Sequence, residues 1–164
     1  MKPMRVIQSV ACFALVLALA ACGFQLQGRQ VLPPVLEQVR LEVADRQSEF
    51  TRALRATLAA SGATLVEAPA AGAEVRILQD EMTERVLSVD ARNIPTDYEL
   101  TYRVEIQVRA QQRELLAPES FELSRIYSFD ERRQLAKDRE KEILREALAR
   151  DLASVVTRRL STLQ

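Results

Sequence analysis

The sequence predicts a two-layer α+β domain in which two helices pack on a four-stranded, mainly antiparallel sheet. One observation behind this prediction is the strict alternation of apolar and polar side chains over residues 100–109, the period of a half-buried strand. A second is an apolar stripe at helical spacing along residues 133–163, which includes either Ile143 or Leu144. The third is the order of the segments, strand, helix, three strands and helix, because both helices must cover the apolar face of the sheet. The 164 residues have room for one such domain, predicted at residues 38–164.

The segment before this domain is predicted to be an extended tether. Residues 29–36 contain Pro33 and Pro34, which exclude a helix interior and a central strand. The whole of residues 22–37 is therefore interpreted as a connection that leads into the domain.

The domain is predicted to begin with one strand and one helix. Residues 38–43 alternate apolar and polar side chains, as a half-buried strand does. Residues 48–60 have helical spacing, with Ser48 as the predicted N-cap. Ser61 and Gly62 supply the stop signal of this first helix.

The next region is predicted to form a strand that is followed by a turn. Residues 63–66 look like the start of a short strand, which a loop of small residues interrupts. Residues 74–80 and 85–89 are interpreted as one strand, with a bulge or bend at residues 81–84 where the alternation is lost. Residues 91–96 contain Asn and Pro and are predicted to form a turn.

Two further strands precede the last helix. Residues 100–109 form the clearest strand of the chain, and residues 111–118 are predicted to turn back from it. Residues 121–129 are predicted to be the final strand. Its register is left open, because the alternation is upset at Arg125 and Ile126.

The N-terminus has the features of a bacterial lipoprotein leader. Residues 1–21 combine a short basic start with a long apolar stretch, as export signals do. The sequence Leu-Ala-Ala-Cys that ends at Cys22 resembles a lipobox, which predicts cleavage before Cys22 and transfer of diacylglycerol to its thiol, with palmitate among the acyl chains of the lipid. Cys22 is then the only cysteine of the mature chain. Gly23 follows it where lipoproteins retained in the inner membrane often carry Asp, which favours the outer membrane. The alternatives are an ordinary cleaved signal and an uncleaved anchor.

The inventory of reactive side chains predicts that the protein is not an enzyme. The chain has no histidine, and its four glycines are scattered instead of forming a phosphate-binding loop. Two carboxylate pairs, Asp80-Glu81 and Asp130-Glu131, have the composition of an acid pair for glycoside hydrolysis. Their alternative role is that of solvated residues at turns and helix starts, and no cofactor or metal is predicted. The 23 basic and 23 acidic residues balance, which argues against a nucleic-acid partner.

Basic residues near the last strand and the last helix are the candidate binding residues. Arginine forks suit phosphates and carboxylates. The alternative is ordinary surface charge that is paired with Glu131, Asp138 and Glu140. The predicted cluster comprises Arg92, Arg125, Arg132, Arg133 and Lys137.

Several short pieces of the mature chain resemble the LptE family of lipopolysaccharide-assembly lipoproteins. Residues 22–28 are similar to the family's opening after the lipobox. The strand end at Ser88-Val89, the Asn93 turn and residues 96–100 resemble its central hairpin, and residues 129–130 and 135–138 resemble the start of its last helix. The resemblance implies a fold of two helices on a four-stranded sheet.

The resemblance also implies a function. Members of the family sit as a plug inside the large outer-membrane β-barrel LptD, help it to assemble, and take part in lipopolysaccharide delivery to the cell surface. Basic residues at the hairpin turn and at the last helix start contact lipopolysaccharide in the family. Lys137 matches the second position, and Arg92 matches the first to within one residue. Arg125 and Arg133 complete the predicted lipopolysaccharide-binding set.

The expected location is the outer membrane, with a lipid anchor on the periplasmic side and the domain in the barrel lumen. Three other functions stay open at this point. The protein would be an accessory binding lipoprotein of another envelope transport system, a structural lipoprotein that bridges to peptidoglycan through its long helix, or a hydrolase.

Overall fold

The computed structural model describes residues 30–67, 72–128 and 134–163, with the side chains of residues 134–138 outside the description. A single turn of 3-10 helix at Pro34–Leu36 precedes the sheet, and Leu32 and Leu36 are buried in the core. None of the helices in the described ranges is long and apolar enough to cross a membrane. The helices and strands are β1 (Gln38–Glu42), α1 (Glu49–Ala60), β2 (Thr64–Leu65), β3 (Ala73–Val89), β4 (Pro95–Ala110), β5 (Arg113–Ser128) and α2 (Gln134–Leu160).

The sheet has five strands in the order β2-β1-β3-β4-β5 and is mixed, so the prediction of a four-stranded, mainly antiparallel sheet is wrong in these details. β1 pairs in parallel with both β2 and β3, while β3, β4 and β5 are antiparallel. β2 comprises only Thr64 and Leu65, which is too short for a visible alternation. The parallel pairing of β1 with β2 follows from α1, which connects the two strands as a crossover helix. A sequence pattern can show that a strand exists, but it does not show which strand lies beside it.

Helix α1 begins and ends where its local sequence predicts. The Ser48 side chain accepts a hydrogen bond from the Thr51 backbone N–H at 3.0 Å, which makes Ser48 the N-cap. Gly62 follows the helix with a φ of +97°, a left-handed conformation that glycine adopts without a steric penalty. The helix buries Phe50, Leu54 and Leu58 against the sheet. The prediction for residues 48–60 is confirmed.

Helix α2 spans 27 residues and is roughly 40 Å long at 1.5 Å per residue. It packs on the same sheet face as α1 and beside it. The apolar stripe passes through Leu144, since Leu144 is packed against the core while Ile143 is 58% exposed. The two helices therefore form one layer, as predicted. The stripe's fully buried side chains include Leu148, Leu152, Val156 and Leu160.

The bulge in β3 lies earlier than predicted. The register with β4 shifts between Ile77 and Gln79, whereas the sequence pattern indicated residues 81–84. Before the shift, Ile77 pairs with Ile106, and after it Asp80 pairs with Val104, so the face toward the helices changes from odd to even residues. The alternation of the sequence did not locate the bulge, because the helix-facing positions after it are mostly polar and show no apolar period. These positions hold Asp80, the part-buried Met82 and Glu84.

The turn predicted at residues 111–118 is wrong, because β5 begins at Arg113 after a two-residue turn. Gln111 has a φ of 54° in this turn. Pro118 suggested a loop, but β5 is an edge strand and Pro118 lies at a register shift, the two places where a sheet tolerates proline. Further along β5 the odd residues keep one face, including Arg125, which pairs across the sheet with Leu100.

A buried polar network joins α1 to the sheet. The Tyr102 hydroxyl donates to Asp80 at 2.7 Å and accepts the Phe50 backbone N–H at 3.1 Å. The Ser48 hydroxyl donates to the same carboxylate at 2.5 Å. Burial and the hydrogen bond to Asp80 raise the pKa of Tyr102 above its ordinary value. Asp80, one of the candidate acid residues, thus accepts two hydrogen bonds within the fold. Asp130 and Glu131 lie outside the described residues.

Candidate functional site

Arg92 and Arg125, the two predicted basic residues whose side chains the structure describes, lie toward one end of the sheet, here called the tip. The tip consists of the β3–β4 turn, residues 90–94, and the neighbouring ends of β3, β4 and β5. Asp97 pairs with Ser128, which places the end of β5 beside this turn. Helix α2 begins six residues after Ser128, a connection of at most about 20 Å, so its N-terminus lies toward the same end.

Arg92 lies in the β3–β4 turn and is 76% exposed. Its guanidinium donates to Asp90 from Nε at 3.0 Å and from Nη2 at 2.9 Å. The other Asp90 oxygen accepts the backbone N–H groups of Arg92 and Ile94. These hydrogen bonds, that of Ile94 first, lower the pKa of Asp90, and they hold the turn closed around it. Arg92 is therefore exposed on a fixed backbone, with its guanidinium paired to Asp90.

Arg125 occupies a helix-facing position on β5 and forms an ion pair with Asp151 of α2. The distance between Nη2 and the Asp151 carboxylate is 2.6 Å, and both side chains are 49% exposed. An ion pair this exposed contributes between 0 and about 1 kcal/mol. Arg125 thus helps to join the sheet to α2. It lies toward the tip but outside the β3–β4 turn that contains Arg92.

The remaining predicted residues are described only in part. Lys137 belongs to the first turn of α2, and its side chain lies outside the described residues. One turn later, Lys141 forms an ion pair with Glu84 of β3, which places this part of α2 over the β3 segment that leads to the tip. Arg133 and its neighbour Arg132 lie outside the described residues, as does Cys22.

Sequence reasoning missed Asp97, which links the three strands at the tip. Its carboxylate accepts hydrogen bonds from the hydroxyls of Ser88 on β3 and Ser128 on β5, the latter at 2.7 Å. These hydroxyls, that of Ser88 first, lower the pKa of Asp97. Small polar residues at the ends of three successive strands were the available signal. On the other face, the rings of Tyr98 and Tyr127 stack with centroids 5.5 Å apart.

The sheet face turned away from the helices, here called the outer face, carries polar rows that run across the long strands. In one row Arg103 forms an ion pair with Glu122 at 2.5 Å, and in the next the hydroxyls of Thr101 and Ser124 are 2.8 Å apart. Arg85 and Glu99 form a further pair toward the tip. Within the described part of the chain, neither helix packs on this face. This face is mainly polar, and Ile126 of β5 is an exposed apolar side chain on it.

The described residues contain no group of three or more His, Cys, Asp and Glu side chains that could hold a metal ion. The concave surfaces formed by the described residues include a groove and a cleft. A groove of about 570 Å³ lies between α1 and α2, and a cleft of about 330 Å³ lies between β5 and α2. The groove is lined mainly by small residues, and the cleft contains the ion pair of Arg125 and Asp151.

Comparison with known proteins identifies relatives of this chain. The LPS-assembly lipoprotein LptE of Yersinia enterocolitica is 29% identical over 147 residues, which cover 88% of this chain and 70% of that protein. The crystal structure of the rare lipoprotein B from Shewanella oneidensis is similar, with a TM-score of 0.68 and 29% identity over 76% of this chain and 94% of that one. The solution structure of an uncharacterized lipoprotein B from Nitrosomonas europaea has a TM-score of 0.71 at 25% identity, covering 85% and 90%.

The family model agrees with these relatives and with the motifs. The model described as LptE, lipopolysaccharide-assembly, matches residues 36–160, from the 3-10 turn to the end of α2. The resemblance drawn from the short sequence motifs is thereby confirmed. The chain belongs to the LptE family of lipopolysaccharide-assembly lipoproteins.

Proposed function

We propose that the protein is an outer-membrane lipoprotein that plugs the LptD β-barrel, helps it to assemble and binds lipopolysaccharide on its way to the cell surface. It acts by contact, as a folded insert whose surfaces meet a barrel wall and a glycolipid. Family membership supports the part in lipopolysaccharide assembly. Our proposal adds that the barrel partner is LptD and that the protein binds lipopolysaccharide.

The anchor is assigned to Cys22. We assign residues 1–21 to a leader that is removed and Cys22 to the lipid attachment. Residues 22–37 then lead to the strands and helices of residues 38–164, with Leu32 and Leu36 already packed into the core. One acyl chain alone gives marginal membrane binding, and each additional buried methylene adds about 0.8 kcal/mol. Three chains on one cysteine would hold the domain at the membrane permanently, within reach of a barrel in the same bilayer.

The polar outer face is the observation that carries the plug role. The lumen of a large outer-membrane barrel is polar and filled with water. A protein that fills it must keep its own core while offering charged and hydroxyl side chains to the wall. The helices bury the apolar side of the sheet, and the outer face offers the rows of Arg103 with Glu122 and of Thr101 with Ser124. Charged residues make up 28% of the chain, which suits such surroundings.

The tip supplies the chemistry for a phosphorylated lipid. Lipid A carries phosphates, and arginine and lysine donate charge-assisted hydrogen bonds to phosphate oxygens. Arg92 holds an exposed guanidinium on a rigid turn, and residue 137 lies in the first turn of α2 near the same end. We therefore assign the glycolipid contact to Arg92 and Lys137, with Arg125 and Arg133 as flanking cations.

Charge reversal tests this assignment. Lys137→Asp and Arg92→Asp should each weaken binding of purified lipopolysaccharide by about tenfold or more, since a hydrogen bond to a charged group is worth about 1.5–3 kcal/mol. Arg113→Asp is the matched control, because Arg113 is an exposed arginine at the opposite end of the sheet. The circular dichroism spectrum should stay unchanged in all three variants. If Lys137→Asp binds lipopolysaccharide as well as the control does, Lys137 is an ordinary surface residue and does not contact the glycolipid.

A further inference from the structure

The outer strand β5 exposes an uninterrupted backbone edge. The sheet ends at β5, and no strand within the described ranges pairs with it on the side away from β4. Residues 119–126 pair with β4 without a break in register, from Glu119 with Ile106 to Ile126 with Glu99. Pro118 and the register shift lie before this segment, so nothing in its eight residues disrupts the edge. At about 3.3 Å per residue the segment is roughly 26 Å long.

A cleft of about 330 Å³ runs beside this edge, between β5 and α2. Leu123 contributes partly exposed apolar surface to it, the buried Leu148 forms its base, and the ion pair of Arg125 and Asp151 crosses it. Leu123 and its neighbour Phe121 face the helix layer and stay partly exposed, although α2 makes its main contacts with the sheet at β5. The strip beside the edge thus keeps apolar surface that one more strand would cover.

The occupant of such a site follows from its chemistry. A row of backbone N–H and C=O groups at 3.3 Å spacing is matched by another extended backbone, and a neighbouring pocket for alternate side chains adds specificity. We propose that an extended segment of a partner protein adds to residues 119–126 of β5 as a sixth strand. One apolar side chain of this segment enters the cleft over Leu123 and Leu148.

The outer face of the edge sets further requirements on the segment. Glu122 is 43% exposed although Arg103 holds it, and a basic residue placed opposite would add to this pair. Ile126 is 65% exposed, and a β-branched or aromatic residue opposite it would bury that surface. The fitting segment therefore has a basic side chain opposite Glu122 and an apolar side chain opposite Ile126, both on the outer face. Between them, one apolar side chain points to the helix side and enters the cleft. This inference goes beyond the proposed function and does not depend on glycolipid binding.

Hydrogen exchange tests whether a strand is added. The full-length lipidated protein is compared in membranes of its own cells and after purification in detergent without partners. Alternate amides of residues 119–126 should exchange at least tenfold more slowly in the membranes, whereas the amides of β4, which is paired on both sides, should not change. Equal rates in the two samples, or edge amides already protected in the purified chain, would overturn the proposal.

Photo-crosslinking identifies the occupant. A crosslinker at Ser120 or Ser124 should capture two positions four residues apart in one segment of a different polypeptide. Thr83 and Thr101 are the matched controls, since they are polar outer-face residues of the interior strands β3 and β4 and should not capture that segment. Crosslinks that lead to this same chain, to a second copy, or to positions without a fixed spacing would refute the added strand. Charge reversal at Lys137 should leave the crosslinks unchanged, which separates this test from that of glycolipid binding.

Discussion

At the scale of single residues, Gly72 has a strict steric role at the start of β3. A Cβ atom placed there would lie 1.7 Å from the Gln38 carbonyl oxygen. That oxygen belongs to the backbone of β1 and cannot move without disturbing the parallel pairing of β1 with β3. The absence of a side chain at residue 72 is what lets the two strands meet.

Gly72→Ala is expected to lower the free energy of unfolding by about 2–3 kcal/mol, the cost of a backbone shift in a packed interior. Chemical denaturation measures it. Gly62→Ala is the matched control, because its Cβ would contact nothing within 4 Å and only the positive φ is penalised, at about 1 kcal/mol. A Gly72→Ala variant no less stable than Gly62→Ala would contradict this role.

Tyr102→Phe tests the buried polar network. The change removes the hydroxyl that donates to Asp80 and leaves the Phe50 backbone N–H without its acceptor. We expect a loss of about 1–3 kcal/mol in the free energy of unfolding, the cost of unsatisfied buried groups. Ser120→Ala, on the exposed edge strand, should change stability by less than about 0.5 kcal/mol. A neutral Tyr102→Phe would mean that the network does not stabilise the helix–sheet contact.

Residues whose roles are local could be predicted from the sequence, and residues whose partners are distant could not. Ser48 and Gly62 act on backbone within three residues, so helix spacing alone locates them. Asp97 acts through Ser128, 31 positions away, and the Arg125 partner Asp151 is 26 positions away. No pattern in the sequence joins such pairs before the strand register is known.

At the scale of elements, the three strand ends at the tip are held by one carboxylate. Asp97 accepts hydrogen bonds from β3 and β5 while belonging to β4. The ionised form makes these contacts best, which is why its pKa is lowered from 3.8. The turn that carries Arg92 and the end of β5 that leads to α2 are therefore positioned together.

The pH dependence of the tip follows from the lowered pKa of Asp97. The stabilisation is fully present above about pH 4, the range of an unfolded aspartate, and is lost as the pH falls through the lower folded value. A carbon-13 titration should place the Asp97 carboxyl below 3.8, with the Ser88 and Ser128 resonances following the same midpoint. In Asp97→Asn the two serine titrations should disappear. An Asp97 midpoint at or above 3.8 would show that the hydroxyls do not hold it.

Helices and strands with one solvent-exposed and one buried face were predicted well. Features that depend on which strands pair with each other were not. β4 buries Leu100, Tyr102, Val104, Ile106 and Val108 as the alternation requires. For β2 the sequence indicated only the start of a short strand at residues 63–66, because a two-residue strand has no period. The position of the shift at Ile77 was not visible, because a bulge is set by the neighbouring strand. Arg125 looked out of phase in β5 for a similar reason, since its helix-facing position is balanced by Asp151.

At the scale of the whole molecule, the fold separates an apolar interior from a polar exterior in a way that suits enclosure. One sheet face and two helices share the core, while the other sheet face carries rows of ion pairs and hydroxyls. The two-layer α+β class was predictable because helix and strand periods survive in the sequence. The family was predictable from the short motifs, and the family model confirms it, whereas the binding role of the basic residues near the tip stays a prediction.

The central claim is that the domain works as a plug within a partner barrel, and extraction of the native complex tests it most directly. After mild detergent solubilisation of cells, an affinity tag on the C-terminus should recover the lipidated chain together with LptD in equal amounts. Depletion of the chain should leave that barrel unassembled. Recovery of the protein alone or with inner-membrane subunits, while the barrel assembles normally in its absence, would contradict the account.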